Sequence, residues 1–407
     1  MTDNFPPELN APASRTFEHC REWVRAGEQV TVITCAPNFP QGRLYPGYRN
    51  SLVQREIREG IHVIRVWTYI TANEGFARRI IDYLSFAFSS TMAAMFLEAD
   101  VVLTTSPQFF TNFGGAGVRM LKRKPWVFEL RDLWPESIRA VGAMQENWML
   151  RPLESLELFF YHKANGIVAL TEAFKQNLIA RGIPGEKIKV IPNSADRNLF
   201  YPREKDAALL QDLGLWEKFV VGYIGTHGMA HGLDFIVRAA ARVKDPSIHF
   251  LFVGDGSEKS QVASLARSMG LSNVTFLDPI PKEEVPHVFS VCNATLVPLK
   301  RRETFKTVLP SKIFEASAMQ KPILLGVDGQ ARFLVERYGA GLFFEPENEE
   351  HFLQVLKKLR NDQKCYQSLV EGCNRLAGDF SRSKLAMDML EFIKQISETN
   401  PSEIIPS

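Results

Sequence analysis

Several marks of specialised protein classes are scarce or missing in this 407-residue sequence. Its five cysteines, Cys20, Cys35, Cys292, Cys365 and Cys373, form no Cys-x-x-Cys pair, are odd in number and lie far apart. That excludes the regular spacing of a disulfide framework and leads us to expect reduced, buried thiols of a cytoplasmic protein. A charge excess is also missing: 48 Lys and Arg against 46 Asp and Glu leave a formal charge of +2. Wholesale nucleic-acid binding shows a marked basic excess or stripe, so no nucleic-acid partner is expected. The first residues are polar and Pro-rich, without the basic stretch and apolar run of a signal peptide.

Only FARRIIDYLSFAFSSTMAAMF, residues 76–96, approaches the length of a membrane span, and Asp82 and several serines interrupt it. A transmembrane segment is therefore not expected. Two readings stay open. One is a long, mostly buried core helix. The other is a helix lying in the membrane interface, with Arg78 and Arg79 at anionic headgroups and Tyr83, Phe86 and Phe88 inserted.

What the sequence does have is apolar content, 45%, enough for large cores and two domains. Short β-rich runs alternate with helical patterns: QVTVITCAP, HVIRVW, ADVVLTTSP, PWVFELRD, NGIVALT and KIKVIPN, then FVVGYIG, IHFLFVG, NVTFLD, ATLVPL, KPILLG and AGLFFEP. This rhythm predicts an α/β protein of two doubly wound parallel-sheet domains, without internal sequence repeat. Charges and a proline break it at 197–218, so we expect domains at 1–196 and 219–380, a linker between them, and a C-terminal helix from 381 packing back towards the first domain, followed by a frayed tail. Ligands of such sheets bind beyond the carboxyl ends of the strands, in an interdomain cleft. The first domain should open with a hydrophobic strand, yet the sequence starts at TDNFPPELNAPAS and leads into a helix near Ser14. We therefore expect the first strand to be missing here, with roughly six to ten Val, Ile and Leu residues upstream in the natural product.

Certain segments carry chemistry. In LPSKIFEASAMQKPILLG (309–326), Pro310 opens a helix whose first turn holds Lys312, where the macrodipole is positive and a cation costs roughly a few tenths of a kcal/mol unless an anion offsets it. Lys312 and Glu315 share a helix face. They form either an exposed ion pair or a site in which Lys312, with the N–H groups of Ser311 and Lys312, takes a diphosphate while Glu315 accepts hydrogen bonds from a vicinal diol such as ribose. Arg301 and Arg302 lie just upstream. In GYIGTHGMAHGLDFIVRAAARV, Gly225, Gly228 and Gly232 allow close backbone approach to a phosphate, or merely turn the chain; His227 and His231 are ambiguous. IHFLFVGDGSEKSQV lacks the dinucleotide spacing, so no nicotinamide cofactor is expected and Asp255 and Gly256 read as a turn. RDLWPES supplies Arg131, Asp132 and Glu136 after a strand, either as a helix cap and local ion pair or as a carboxylate that orients or deprotonates an acceptor hydroxyl.

In this order and spacing, PSKIFEASAMQKPILL, VVGYIGTHGMAHGLD and VIPNSADRNLFYP resemble glycosyltransferase family 4 over essentially the entire chain. FELRDLWPES resembles the subgroup containing bacterial N-acetyl-L-fucosamine transferases of surface-polysaccharide assembly. The resemblance implies the GT-B fold and retaining, metal-independent transfer of a sugar from a nucleotide-diphosphate donor, uridine-linked, to a lipid-diphosphate-linked saccharide at the cytoplasmic membrane face, with no cofactor. It implies catalytic roles for Lys312 and Asp132; donor contacts from Gly225, Thr226, His227, Gly228, Ile280, Arg301, Thr307, Ser311 and Glu315; and acceptor contacts from Arg131 and Glu136. Two positions depart from the family pattern. Thr307 stands where the first of two glutamates separated by seven residues is usual, Glu315 matching the second. Thr226 and His231 occupy a glycine-rich loop that often carries Arg and Lys. A nucleotide-sugar epimerase of the same fold and an inactive scaffold partnering a transferase are the alternatives.

Overall fold

The computed structural model describes residues 1–8, 10–39, 42–71, 76–106, 108–133 and 150–398. They divide into two compact units, Met1–Pro192 with the segment from Arg382, and Asn193–Ser381.

In the first unit, β1 (Thr31–Cys35), β2 (Val53–Arg58) and β3 (Ile61–Val66) form a sheet in the order β1-β3-β2. β4 (Val102–Thr105), β5 (Trp126–Leu130), β6 (Gly166–Ala169) and β7 (Ile188–Val190) form a parallel sheet in chain order. The sequence reading omits β2. VQREIR is polar, pairs antiparallel at the sheet edge and alternates exposed with half-buried residues, so it lacks the apolar signal of the central strands. Met1 and Thr2 lie between the two sheets, bonded to β1 and β4: Thr2 N donates to Ile33 O at 3.0 Å, and Thr105 N to Met1 O at 3.2 Å.

Helix α1 (Ala11–Arg25) starts where Asn10 accepts a hydrogen bond from Ala13 N at 2.8 Å, with Pro12 in its first turn. Its inner face meets the helix Arg382–Glu398: Trp23 Nε1 donates to Ala386 O at 2.8 Å, and the buried Arg382 and Glu18 pair at 2.7 Å. Helix α2 (Phe76–Met95) buries Phe86, Ala87, Ser90 and Ala94. Phe86 belongs to the core with Ile33, Cys35 and Val66, so it is not available for membrane insertion as one expectation had it. Nor is the helix mostly buried, because Ile81, Leu84, Phe88 and Met92 face outward. No described helix is long and apolar enough to cross a membrane.

The second unit is a six-stranded parallel sheet of β8 (Phe219–Ile224), β9 (Ile248–Val253), β10 (Val274–Leu277), β11 (Ala294–Pro298), β12 (Ile323–Gly326) and β13 (Gly341–Phe343), in the order β10-β9-β8-β11-β12-β13. The direction of winding reverses between β8 and β11, the switch point where such sheets bind ligands. Successive residues point to opposite faces. Val220, Leu251, Val297 and Leu325 enter one core, and Val221, Phe250, Leu296 and Leu324 the other. The stretch 197–218, expected as a linker, packs into this unit: Phe200, Leu210 and Leu215 are buried in the first of these cores, and Asp206 caps the short helix Ala207–Asp212. Its charges marked the surface of the segment, while its apolar residues lie beneath.

Candidate functional site

β8 ends at Ile224 and the chain turns at Gly225, with φ at +130°. A Cβ at that position would lie 2.8 Å from Lys312 Nζ, so the space left by glycine is the space the ammonium uses. The same ammonium stands over the Tyr223 ring, 4.9 Å from its centroid, a cation–π contact. Lys312 opens the helix Lys312–Ala318, which the apolar Ile313, Phe314 and Ala316 fasten to the core. Loss of hydration in this setting lowers the ammonium to about 8, against the pull of half-buried Glu315 one turn on.

Two neighbouring loops brace the glycine turn. His227 N donates to Asp255 O at 2.8 Å, and Glu258 N to His227 O at 2.9 Å. Gly254, after β9, approaches so closely that a Cβ would fall 2.0 Å from Gly225 O. Beyond β11, Lys300 N donates to Ala230 O at 2.8 Å. The carboxyl ends of β8, β9 and β11 thus converge at the switch point. The expected turn at Asp255 and Gly256 is the buttress of this loop.

The expected donor residues distribute unevenly around it. Thr226 is exposed and Gly228 half-exposed. His227, in contrast, turns its ring inward among Tyr223, Phe252 and Phe276, fully buried and with no hydrogen-bond partner for either nitrogen among the described residues. Burial, with Lys259 and Lys312 nearby, lowers it to about 4. The ring is enclosed by aromatic side chains, and the backbone N–H and C=O are taken by Asp255 and Glu258, so the groups of His227 are engaged within the two loops rather than turned towards a ligand as expected. Ser311 precedes the helix without a side-chain cap bond, and Ile280 packs against the core in the loop after β10. Thr307 Oγ1 donates to Thr304 O at 3.0 Å within the short turn Glu303–Thr307. Arg301 is committed elsewhere: its guanidinium pairs with Glu345 and its N–H donates to Glu347 at 2.9 Å.

In the first unit, Arg131 is buried after β5, its N–H donating to Ser106 Oγ at 2.7 Å and its Nη1 to Pro12 O at 3.2 Å. Beside it, Arg15 and Glu129 form a buried ion pair at 2.7 Å. Burial alone would raise the Glu129 carboxyl, but Arg15 and Arg131 outweigh it and hold it below the ordinary range. The expected acceptor role of Arg131 thus meets a guanidinium already engaged in the fold, whereas Asp132 is exposed. Glu136 lies outside the described residues. Sequence reasoning missed Tyr223, Lys300 and the Arg15–Glu129 pair. Tyr223 sits inside an apolar run, and the pair's partners are distant in sequence, so neither gave a local signal.

Comparison with known proteins follows the two units. The family described as glycosyl transferase 4-like domain matches residues 10–194, and that described as glycosyl transferases group 1 matches residues 210–374. A putative colanic acid biosynthesis glycosyl transferase, WcaI of Escherichia coli K12, is 25% identical over 87% of this chain and 90% of its own length. A probable glycosyltransferase, WbjE of Pseudomonas aeruginosa, is 23% identical over 68% of this chain and 70% of its own. Among solved structures, sucrose-phosphate synthase from Thermosynechococcus elongatus superposes with a TM-score of 0.77 at 17% identity, covering 96% of this chain and 94% of that one. Anabaena HepE in complex with UDP-glucose gives a TM-score of 0.71 at 17% identity, covering 97% and 98%. With the GT-B fold in common and each unit matched by a glycosyltransferase family, the chain belongs to the group 1, family 4-like glycosyltransferases.

Proposed function

We propose that this glycosyltransferase moves a sugar, with retention and without a metal, from a uridine-diphosphate donor to a lipid-diphosphate-linked saccharide at the inner face of the cytoplasmic membrane, in surface-polysaccharide synthesis. The observation that carries the donor half is Lys312 packed into the Gly225 turn at the switch point. An ammonium whose proton affinity burial has weakened is held more firmly charged when a diphosphate arrives, and exposed loop N–H groups add donors without further side-chain charge. Glu315, one turn along the helix, would accept the ribose hydroxyls. As the bond from sugar carbon to phosphate oxygen breaks, Lys312 stabilises the negative charge growing on the leaving diphosphate. The acceptor oxygen forms the new bond to that carbon and passes its proton to the departing phosphate oxygen, so no protein nucleophile is needed. Asp132, exposed beside the buried Arg131, would orient the acceptor hydroxyl. The complex of HepE with UDP-glucose and the colanic acid description of WcaI support this reading of donor and pathway class.

The test is a screen of uridine-diphosphate sugars for slow hydrolysis, read as released nucleotide, with Glu315→Gln alongside. The variant should fold normally and bind UDP more weakly, since a neutral amide replaces charge-assisted bonds of roughly 1.5–3 kcal/mol each before losses. No nucleotide release from any donor, or unchanged UDP binding by the variant, would overturn the assignment.

A further inference from the structure

On most surface helices the outward stripe is polar. On α2 it is apolar: Ile81, Leu84, Phe88 and Met92 recur at a spacing of three or four residues, and Phe96 continues the row just past the helix end. Phe88 is 71% and Phe96 83% exposed, far beyond what a core face shows. Helix α3 (Asn112–Lys122) packs alongside and leaves the adjacent Met120 and Leu121 of its last turn exposed. The contact is close because Gly114 and Gly117 of α3 meet Thr91 of α2. Two adjoining helices therefore carry apolar side chains that nothing covers among the described residues.

The charges around this surface identify what fits it. Arg78 and Arg79 are exposed at the start of α2, and Lys122, Arg123 and Lys124 close α3. Glu98 and Asp100 are the carboxylates at that end, and Lys122 pairs with Glu98 at 3.4 Å. Cations thus flank the apolar stripe at both ends and outnumber the acids. A second copy of this chain would set these cations against one another with too few carboxylates to offset them. An anionic bilayer satisfies both features, taking the side chains of Phe88, Met92 and Phe96 below the headgroups and the Arg and Lys side chains at the phosphates.

We propose that the α2–α3 face docks the protein onto an anionic phospholipid surface. This deepens the membrane-side reading of the acceptor, and it needs no nucleotide, so its failure is separable from failure of the donor assignment. The test is co-sedimentation of the full chain with vesicles of phosphatidylcholine alone and of equal parts phosphatidylcholine and phosphatidylglycerol, without nucleotide. The expected result is binding to the anionic vesicles that falls by about tenfold or more in Phe88→Ser/Met92→Ser/Phe96→Ser, while Arg78→Gln/Arg79→Gln loses the preference for phosphatidylglycerol. Circular dichroism melts check that each variant folds; should the triple variant melt early, Met120→Ser/Leu121→Ser on α3 supplies the same readout. Vesicle binding indifferent to these changes overturns the proposal. So does absence of binding, including the case where sedimentation velocity shows self-association that the triple variant abolishes.

Discussion

Lys312 holds its charge in a setting that weakens it, and this makes the donor assignment testable by pH. With the ligand-free ammonium at about 8, the charge fades as pH rises through that value, whereas a bound diphosphate raises the proton affinity again. UDP affinity should therefore decline above pH 8, and binding a little above it should take up a proton, visible by calorimetry in buffers of different ionisation heat. Lys312→Met should remove this uptake and reduce turnover by ~100-fold; proton uptake that survives would place the titrating group elsewhere. His227 carries a second pH signature. The unfolded chain gains a proton on this ring below 6.5, while the buried ring refuses it until about 4. The folded state is thus favoured above 6.5 and loses that advantage as pH falls towards 4. His227→Phe keeps a ring in the aromatic enclosure and should flatten this acid dependence, read from urea midpoints at neutral and mildly acidic pH. Lys312 was legible from its place in the first turn after Pro310. The inward turn of His227 was not, since a histidine in a loop reads the same whether its ring meets water or three aromatic rings.

Loops and strands differ in what fixes them. The strands of the second unit are short apolar runs bounded by turn residues, buried throughout in β8, β9, β11 and β12, where both sheet faces are covered, and each was legible from composition. The glycine loop after β8 was legible as a turn, but its support from the loop after β9 was not. That support rests on Gly254, where φ is +138° and only 2.0 Å would separate an added Cβ from Gly225 O, which leaves no room for a side chain. Gly254→Ala should lower stability by about 2 kcal/mol or more through backbone displacement and weaken UDP binding with it. Equal melting temperature and affinity would show that the two loops part without consequence. For α2 the apolar spacing was legible, yet which residues face the core was decided by β1, β3 and α3 packing against Phe86 and Ala94.

At the scale of the molecule, the first unit is fastened by a buried polar group. Arg15 on α1 reaches Glu129 on β5 and also donates to Pro192 O at 2.7 Å and Ile191 O at 2.9 Å, tying together segments far apart in the chain. Glu129→Gln leaves a buried guanidinium without its counter-charge and should cost about 3–5 kcal/mol. Because this pair belongs to the first unit, UDP affinity should stay unchanged while the urea midpoint of that unit falls; a parallel loss of UDP binding would mean that the units do not respond independently. The sequence by itself determined the class of fold, the two series of strands, the glycine turn and the charged first turn at Lys312. Those features depend on spacing within a dozen or so residues, which local sterics, hydrogen bonding and burial translate directly into structure. Tertiary structure alone decided that Lys312 fills the space left by Gly225, that Arg301 turns to Glu345, that Arg131 is enclosed, and that the apolar stripe of α2 faces out. Each of these is settled by contacts between residues distant in sequence, and a local pattern carries no information about which distant group will take up a side chain's charge or cover its apolar face.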